Sequence, residues 1–496
     1  MPLPRRLLVA NRGEIAVRIV RACRDLGVEP IAVYAPVDAG APHVRLADDA
    51  LPLPGDSPAE GYLNGPALVE LARRCGAAAI HPGYGFLSEN PSFAAACEAA
   101  GIAFVGPPAS VLRMCGDKAA ARAAATSAGV PVLPGSGSVS DAEAQSAAEA
   151  VGFPLLIKAA GGGGGKGIHL VRSPDALPGA LRLARGEAQT AFGDPRVYLE
   201  KWVERPRHVE VQILADSAGG VIHLGERACS VQRRHQKLIE EAPAPGISPE
   251  LRDALLESAV RVARALGYRN AGTVEFLLDG EAFFFIEVNA RLQVEHPVTE
   301  MVTGVDIVAA QLAVAGGEPI PFAQEEVRHT GWAVECRISA EDPHGGFLPS
   351  LGKIDGVIEP QGPGIRVDSG FRAGCTVSRH YDPLLSKVVA WGRDRAEAIA
   401  RMRRALAEYA VSGVDTTIPF HRWALEQPAF LGGAYDVRFA EEWDGAVPSQ
   451  EAERLAAEVA AAWLRRKAAA SVLVSDGQAA GPASRWISAA REEGLR

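Results

Sequence analysis

A run of five consecutive glycines, Gly161 to Gly165, is the feature that most restricts how this chain can fold. It lies between two short apolar runs, residues 153–159 and 168–171, that are typical of strands. A phosphate-binding P-loop has the spacing G-x-x-x-x-G-K-[ST] and leads from a strand into a helix. Here Ala160 occupies the first glycine position and Gly167 the hydroxyl position. The pattern therefore predicts a mobile strand–loop–strand flap over a phosphate instead of a P-loop.

The first 115 residues alternate short apolar runs with segments of helical periodicity. This alternation predicts a doubly wound α/β domain with a parallel sheet. The motif NRGE at 11–14 has one glycine, so the dinucleotide fingerprint is absent. Strands are predicted at 6–11, 30–35 and 102–107, a strand and loop at 77–85, and helices at 13–28, 65–76 and 91–101.

The remaining sequence divides into three further regions, which give a mixed α/β and α+β chain. Residues 116–335 form a central domain, with a small lid subdomain at 132–203 around the glycine run. Residues 336–447 contain short runs broken by Gly and Pro, which predict an antiparallel β unit carrying a helix at 393–411. Residues 448–496 predict a helix with Ser449 as N-cap, followed by a flexible Gly/Ala/Ser/Pro tail.

Charge and cysteine content exclude several classes of protein. The net charge of −9 argues against a nucleic-acid partner. The seven cysteines are scattered without a C-x-x-C pair, which indicates reduced thiols and neither disulfides nor a zinc site. The N-terminal apolar run is too short for a signal peptide, and no stretch approaches the roughly 20 apolar residues of a membrane span. These features predict a soluble, cytoplasmic protein with no membrane partner.

The strongest chemical pattern is the segment 272–297, which reads as a hairpin around Asp279-Gly280. Side chains two apart on a strand share a face, so alternate polar residues would line one side while an apolar row packs behind them. Whether the strand continues beyond the second polar residue is left open, and a solvated outer strand would show the same alternation. The alternating polar residues are Glu287, Asn289, Arg291, Gln293 and Glu295.

The apolar run from Phe283 to Ile286 predicts a strand buried on both faces, where carboxylates need partners such as a metal. Glu275 lies twelve residues before Glu287, and the two share a face only if the hairpin register brings them together. A two-residue turn would separate them, so we predict a loop with an odd number of residues. Two carboxylates and the amide oxygen of Asn289 are hard ligands that suit Mg²⁺ bound together with substrate phosphates.

Arg291 and Glu295 suggest a different chemistry. A guanidinium holds a planar oxyanion through two parallel hydrogen bonds, and a neighbouring carboxylate accepts a proton. This pair fits a small planar acid such as bicarbonate, although an ordinary Arg–Glu ion pair would give the same pattern. The basic cluster at 229–237, the lone Glu200 and the lysines Lys118 and Lys158 are ambiguous by themselves, since exposed turns and solvated lysines are common.

Six motifs, taken together and in order, resemble those of the biotin carboxylases, which are ATP-grasp ligases. The resemblance covers roughly residues 4–445, and the flap of ATP-grasp enzymes closes over ATP. Where many relatives carry Arg after the glycines, this chain has Lys166, which is also cationic. The motifs are ANRGEIAVRIVRAC (10–23), HPGYGFLSEN (81–90), KAAGGGGGKG (158–167), QRRHQKLIEEAPAP (232–245), FIEVNARLQVEHPVTE (285–300) and YDPLLSK (381–387).

The resemblance implies that ATP and bicarbonate form carboxyphosphate and that the carboxyl group passes to biotin. Glu275, Glu287 and Asn289 would hold two Mg²⁺ or Mn²⁺ ions. Lys237, Arg291, Gln293 and the Val294 amide would hold bicarbonate, Glu295 would be the base, Arg337 would stabilise the biotin anion, and Tyr84 would border the biotin pocket. The residues implied to contact ATP are Lys118, Lys158, Gly161, Gly162, Gly163, Gly164, Gly165, Glu200, Lys201, Val203, His208, Gln232, His235, Glu275, Leu277 and Glu287.

A biotin-carrier domain presents its lysine between methionines, and none of the four methionines of this chain has a neighbouring lysine. The expectation is therefore a homodimer acting on biotin that is attached to a separate carrier protein, in assembly with a carboxyltransferase subunit that chooses the final acceptor. The rival interpretations are a carbamoyl-phosphate or purine-pathway ATP-grasp ligase and a catalytically silent nucleotide-binding subunit. The rival ligases should lack the motifs at 81–90 and 232–237.

Overall fold

The structure is a computed structural model that describes residues 3–160 and 168–445, apart from the side chain of Phe192. The five glycines, Lys166 and the helix predicted after Ser449 lie outside the described residues. The chain divides into two compact units, Met1–Asp444 and Gly445–Arg496. All elements given below belong to the first unit.

The N-terminal region is a five-stranded parallel sheet flanked by helices, as predicted. The strand order is β3-β2-β1-β4-β5. Leu7, Leu8 and Val9 of the central strand have no exposed surface, because helices cover both faces of a parallel sheet. The sequence pattern does not predict β3, since its residues DALP contain no apolar run. The elements are β1 Arg6–Val9, α1 Gly13–Asp25, β2 Glu29–Tyr34, α2 Pro42–Leu46, β3 Asp49–Pro52, α3 Gly65–Cys75, β4 Ala79–His81, α4 Pro91–Ala99, β5 Ala103–Phe104 and α5 Ala109–Gly116.

The region around the glycine run has its own four-stranded antiparallel sheet, in the order β6-β9-β7-β8. The strands β7 and β8 pair with each other on either side of the glycines, so the two strands predicted to flank the glycine run are confirmed. A separate small core, which includes Leu155, Ile157 and Leu199, packs beneath this sheet. The elements are α6 Lys118–Ser127, β6 Gly135–Ser138, α7 Asp141–Val151, β7 Leu155–Ala159, β8 Ile168–Val171, α8 Leu177–Phe192 and β9 Val197–Lys201.

The rest of the described chain is built on one eight-stranded antiparallel sheet. Its order is β14-β13-β10-β11-β12-β15-β22-β20. The elements before residue 332 are β10 Arg207–Ala215, β11 Val221–Arg233, β12 Gln236–Ala242, α9 Pro249–Ala265, β13 Asn270–Asp279, β14 Ala282–Asn289, α10 His296–Thr303 and α11 Ile307–Ala315.

The sheet continues without a break into the C-terminal region. The strand β15 pairs with β12 on one side and β22 on the other, and the predicted boundary at 335/336 falls inside it. The elements are β15 Trp332–Ser339, β16 Glu341–Asp342, β17 Leu348–Pro349, β18 Gly352–Lys353, β19 Gly356–Ile358, β20 Ile365–Ser369, β21 Thr376–Val377, β22 Leu384–Gly392, α12 Arg395–Glu408, β23 Ala410–Ser412, α13 Ile418–Ala424 and α14 Pro428–Leu431.

Within residues 3–160 and 168–445, no single helix is long and apolar enough to cross a membrane. The helices α10 and α11 reach the required length and composition only when they are taken together, and they are bent by 99° relative to each other.

Candidate active site

The hairpin of β13 and β14 brings Glu275 and Glu287 directly opposite each other. The predicted odd loop is wrong, because the turn consists of the two residues Gly280 and Glu281. A bulge on β14 supplies the extra residue instead, since Glu275 faces Glu287 while Phe276 faces Phe285. An extra residue in one strand shifts every later side chain by one position. The two carboxylates therefore share a face, as the metal hypothesis requires.

The strand β14 lies at the edge of the sheet and ends at Asn289. Its apolar run is only partly enclosed, because Phe285 is buried while Phe283, Phe284 and Ile286 are half-buried. The prediction of burial on both faces is therefore wrong for this strand. On its outer side β14 forms an isolated bridge from Phe285 to Val132, and the rest of this edge has no strand partner within the described residues.

Two different cations face the two carboxylates. Glu275 lies 2.9 Å from Lys237 Nζ and 3.0 Å from His208 Nε2, and it accepts a hydrogen bond from Asn289 Nδ2 at 2.8 Å. Burial opposes its ionisation, but the charge of Lys237 outweighs burial and holds the pKa of Glu275 well below its usual range. Glu287 lies 3.3 Å from Lys118 Nζ. Lys118 is the first residue of α6, whose N-terminus is capped by Asp117.

Lys237 connects three carboxylates at the centre of the site. Its ammonium group donates to Glu210, to Glu275 at 2.9 Å and to Glu295 at 2.6 Å. Glu210 in turn accepts from Arg227 Nε at 2.6 Å, and neither Glu210 nor Arg227 has exposed surface. The mutual neutralisation of these groups explains how so many charges are buried together.

Sequence analysis did not identify Glu210 or Arg227. Glu210 lies between two valines in HVEVQILA, whereas Arg227 directly follows another charged residue in VIHLGERACSV. A charge between apolar neighbours on a central strand is the signal that would have found Glu210, because such a charge needs a buried partner.

The segment after β14 is irregular, and it turns Arg291 toward the N-terminal region. Arg291 Nε donates to Glu89 at 3.0 Å, and its other nitrogens donate to Gln293 at 2.9 Å and to Asn289 at 3.2 Å. Glu89 also accepts from the backbone N–H of Ala290 at 2.9 Å. Glu89 was not singled out, although it lies in the motif HPGYGFLSEN.

Glu295 lies just before α10 and is fully buried between two cations. Lys237 donates to its Oε1, and Arg337 Nη2 donates to its Oε2 at 2.9 Å. Burial alone would favour the neutral acid, but the charges of Lys237 and Arg337 hold the pKa of Glu295 well below its usual range. The group is therefore an ionised carboxylate at neutral pH, as a proton acceptor must be.

A pair of buried carboxyl groups lies behind Arg337. Glu240 and Glu335 are opposite each other in the β12–β15 pairing, and neither is exposed. Glu240 Oε1 accepts from Arg337 Nε at 2.6 Å, whereas within the described residues Glu240 Oε2 and both oxygens of Glu335 have no hydrogen-bond partner. Burial raises the pKa of Glu240 to about 7 and the pKa of Glu335 well above its usual range. Burial therefore favours the protonated form of Glu335.

The buried acid pair makes stability depend on pH. A carboxyl group whose pKa is raised by folding loses its contribution to stability as the pH rises above the pKa of the unfolded chain. Glu335→Gln keeps the shape but removes this loss. The wild type should therefore lose stability relative to the variant as the pH rises. We expect the difference in Tm, variant minus wild type, to be larger by roughly 2–4 °C at about pH 8.5 than at about pH 5.5.

The control for this pH experiment is Glu257→Gln, because the side chain of Glu257 is 75% exposed. Thermal unfolding of the three proteins at both pH values measures the effect. A Glu335→Gln difference in Tm that is the same at both pH values would contradict the raised pKa of Glu335.

The residues implied to contact ATP lie on both sides of the site. Lys158 of β7 is bonded to Glu200 of β9, and Arg122 Nη1 lies 3.5 Å from the same carboxylate. The side chain of Lys201 donates to the carbonyls of Gly152 at 3.2 Å and Phe153 at 3.1 Å. The ammonium group of Lys201 is therefore engaged within the lid region. Only the backbone of Lys201 remains for a contact with a nucleotide.

The basic cluster at 232–237 forms the hairpin between β11 and β12. Arg234 and His235 both have positive φ, +49° and +64°, in a two-residue turn. Such turns require a left-handed backbone at both positions. Burial and the charge of Lys158 lower the pKa of His235, so its imidazole is neutral at neutral pH. The outer surface of the turn is exposed, while the packing around the imidazole and the nearby Lys158 disfavour its charged form.

The remaining predicted residues are placed as follows. Gln232, Leu277, Val203 and Val294 are half-buried, and Gln293 is buried with no partner for its Nε2 within the described residues. Tyr84 is half-buried and its hydroxyl donates to Glu14. The structure therefore brings together the predicted metal, bicarbonate and base residues, while the glycines of the flap lie outside the described residues.

Three family models match consecutive parts of the chain. They are described as "Biotin carboxylase, N-terminal domain" at residues 4–112, "Carbamoyl-phosphate synthase L chain, ATP binding domain" at residues 117–323 and "Biotin carboxylase C-terminal domain" at residues 335–442. Together they cover most of the described residues in the order in which the three sequence regions follow one another.

Known proteins show the same similarity. Biotin carboxylase 1 of Bacillus subtilis is 48% identical over 89% of this chain and 99% of that protein. The crystal structure of the biotin carboxylase domain dimer of Hydrogenobacter thermophilus 2-oxoglutarate carboxylase, in complex with MgADP, ADP and bicarbonate, is 46% identical with a TM-score of 0.86, covering 89% of this chain and 98% of that one. The crystal structure of the biotin carboxylase subunit of pyruvate carboxylase is 47% identical with a TM-score of 0.77, covering 89% of this chain and 98% of that one.

Proposed function

This chain belongs to the biotin carboxylase family, and from that premise we propose how its residues divide the reaction among them. It is an ATP-grasp ligase that carboxylates biotin with bicarbonate and ATP. The observation that carries the proposal is the bridging ammonium group of Lys237, which binds Glu275 on the hairpin and Glu295 before α10. This contact holds the nucleotide side and the bicarbonate side of the site together.

Glu275, Glu287 and Asn289 are the residues that would hold two Mg²⁺ or Mn²⁺ ions. Their donors are hard oxygens on one face of the hairpin, which fit Mg²⁺ bound with phosphates. Bound Mg²⁺ supplies positive charge that neutralises the β- and γ-phosphates during phosphoryl transfer. Lys118 and Lys158 add fixed positive charge beside Glu287 and Glu200.

The other nucleotide contacts follow from the family motifs. Glu200, Lys201 and Val203 would surround the adenine, and the flap would cover the phosphates. Further contacts would come from His208, Gln232, His235 and Leu277, while the flap residues are Gly161 to Gly165.

Bicarbonate would be held by Lys237, Arg291, Gln293 and the Val294 amide. The proton of bicarbonate passes to Glu295, one oxygen of the carbonate attacks the γ-phosphorus, and ADP leaves, which yields carboxyphosphate. A carboxylate with a strongly lowered pKa is ionised but is a weak base. Removal of the proton therefore has to be coupled to the attack on phosphorus, which consumes the carbonate.

Arg337 would act on the biotin side of Glu295. Carboxyphosphate loses phosphate, which takes the N–H proton of the ureido group, and the nitrogen then bonds to the carboxyl carbon. The ureido anion formed on loss of the proton carries negative charge on its oxygen, and a guanidinium placed there stabilises that charge. Glu240 and Glu295 hold Arg337 Nε and Nη2 in place. The ring of Tyr84 would border the same pocket.

The substrate would be biotin carried by another protein, because no methionine of this chain neighbours a lysine. A cytoplasmic homodimer that assembles with a carboxyltransferase completes the proposal. Two of the related structures named above are parts of pyruvate and 2-oxoglutarate carboxylases, so similar chains serve different acceptors. The carboxyltransferase would therefore select the acceptor.

We expect the purified chain to hydrolyse ATP only with bicarbonate and faster when free biotin is added. Phosphate release in the presence and absence of each substrate measures this dependence. An avidin blot of the same preparation should be negative. Hydrolysis that ignores biotin would contradict the assigned substrate, and a positive blot would contradict the separate carrier.

A further inference from the structure

Lys387 is a buried cation that none of the roles above uses. It lies on β22 within the motif YDPLLSK, and it has no exposed surface. Its ammonium group donates to the carbonyl oxygen of Val294 at 2.8 Å and lies 3.1 Å from Glu14 Oε2. A lysine is almost never fully buried without paired groups, so these two contacts explain its position.

The contact with Val294 acts on the bicarbonate segment. The carbonyl of Val294 belongs to the peptide that joins it to Glu295, the proposed base. Residues 290–295 belong to neither a helix nor a strand, so hydrogen bonds within a ladder do not fix this peptide. Lys387 is part of a central strand paired on both sides. A rigid strand thus holds an otherwise irregular segment by a charge-assisted hydrogen bond.

Glu14 is the partner that balances the charge of Lys387. The other nearby acids on the sheet are Asp368, which lies opposite Lys387 on β20, and Glu335 on β15, where burial opposes ionisation despite the charge of Lys387. Both carboxylate oxygens of Asp368 already accept hydrogen bonds from Arg366, at 2.9 and 2.7 Å. Glu14 is buried at the start of α1, and it also accepts the hydroxyl hydrogen bond of Tyr84.

The backbone around Glu14 and Tyr84 is closely packed. Asn11 donates to the carbonyls of Pro82 at 2.6 Å and Tyr84 at 2.7 Å, which fixes the loop that carries the tyrosine. A side chain on Gly370 would collide with the backbone nitrogen of Glu14, so the loop after β20 is pressed against the start of α1. The N-terminal and C-terminal regions therefore meet at Glu14.

We propose that Lys387, held by Glu14 and Tyr84, is a positioning residue that fixes the Val294–Glu295 peptide and thereby sets the affinity for bicarbonate. This inference rests on the proposed function of residues 291–295. The hydroxyl of Tyr84 then belongs to a relay of contacts that runs through Glu14 and Lys387 to the carbonyl of Val294. The ring of Tyr84 remains available to border biotin.

Tyr84→Phe is the sharpest test, because it keeps the ring and removes only the hydroxyl. We expect the KM for bicarbonate to rise about 3–10-fold, the range for loss of one hydrogen bond of ordinary strength, because the hydroxyl acts on the bicarbonate segment only through Glu14 and Lys387; the KM for free biotin should be unchanged. Tyr435→Phe is the matched control, since it removes a buried hydroxyl that also donates to a buried glutamate, Glu241, which has no role in the proposed reaction. A rise in the KM for biotin alone would overturn the assignment of the hydroxyl.

Lys387→Met removes the charge from the centre of the relay. We expect the KM for bicarbonate to rise about 10–100-fold, because a buried charge-assisted hydrogen bond is lost, and the KM for ATP to stay close to the wild-type value. The double variant Glu14→Gln with Lys387→Met removes both charges and keeps the experiment decisive if the single variant does not fold. Lys353→Met, on an exposed lysine, serves as the control.

Two failures are distinguishable. A wild-type chain without bicarbonate-dependent ATP hydrolysis would refute the proposed function itself. An active wild type, together with a folded double variant whose KM for bicarbonate is unchanged, would refute only the positioning role. A general loss of stability would lower Tm without separating the KM values for bicarbonate and ATP.

Discussion

Replacing Glu295 with glutamine should reduce bicarbonate-dependent ATP hydrolysis by about 100- to 10,000-fold, the range associated with loss of a general base. The amide has the same shape but cannot accept the proton of bicarbonate. Lys237 keeps its contacts with Glu210 and Glu275, and Arg337 keeps its contact with Glu240. The cations of the site therefore stay paired, and the fold should be retained.

ATP binding separates loss of chemistry from loss of the site. We expect Glu295→Gln to bind ATP with an affinity within about threefold of the wild type, because none of the proposed nucleotide contacts involves Glu295. Calorimetric titration with ATP and steady-state phosphate release give the two readouts. Glu257→Gln is the control on an exposed helix position. Turnover near the wild-type rate would refute the role of Glu295 as the base.

Glu287→Gln should weaken the dependence of the reaction on Mg²⁺, with a half-saturating concentration raised about 10–100-fold or more. Glu287 is half-buried and faces Glu275 across the hairpin, and Lys118 at 3.3 Å is its only ion-pair partner within the described residues. A carboxylate with so few protein partners is free to bind a cation. Neutralising it removes one of the hard ligands that Mg²⁺ prefers.

The measurement is a titration of phosphate release with Mg²⁺ after removal of metal by a chelator. Excess Mg²⁺ or Mn²⁺ should restore part of the activity of Glu287→Gln, whereas Glu281→Gln on the turn of the same hairpin should behave as the wild type. Glu281 is exposed and contacts Ser248 at 3.1 Å. An unchanged Mg²⁺ requirement in Glu287→Gln would exclude this carboxylate as a metal ligand.

Glu287 and Glu295, the residues changed in these two predictions, show how much of the site can be predicted from sequence patterns. Alternation along residues 285–295 identifies Glu287 as a polar side chain on a strand, and the family motifs add its role. The register that pairs it with Glu275 depends on a bulge at Ile286, which the sequence pattern does not indicate. Packing against the neighbouring strand determines where a bulge forms. The shared face of Glu275 and Glu287 was expected from a loop with an odd number of residues, but the bulge in β14 produces it.

Sequence patterns also do not show which groups neutralise the charged side chains of the site. Arg291 is recognised in its motif, but its contact Glu89 is 202 residues away along the chain. Lys387 and Val294 are 93 residues apart. Buried charges such as Glu210 can be suspected from their apolar neighbours, yet which cation neutralises them depends on the order of strands in the sheet.

The sequence by itself determined the doubly wound N-terminal region, the strands on both sides of the glycine run, the polar face of the hairpin and membership of the family. These features rest on local periodicity and on residue motifs, which are properties of neighbouring positions. The tertiary structure alone decided the continuous eight-stranded sheet, the three carboxylates around Lys237, the facing buried carboxyl groups of Glu240 and Glu335, and the contact of Lys387 with the bicarbonate segment. Those features arise when distant strands exclude water together, because a buried charge is stable only where another element supplies its partner.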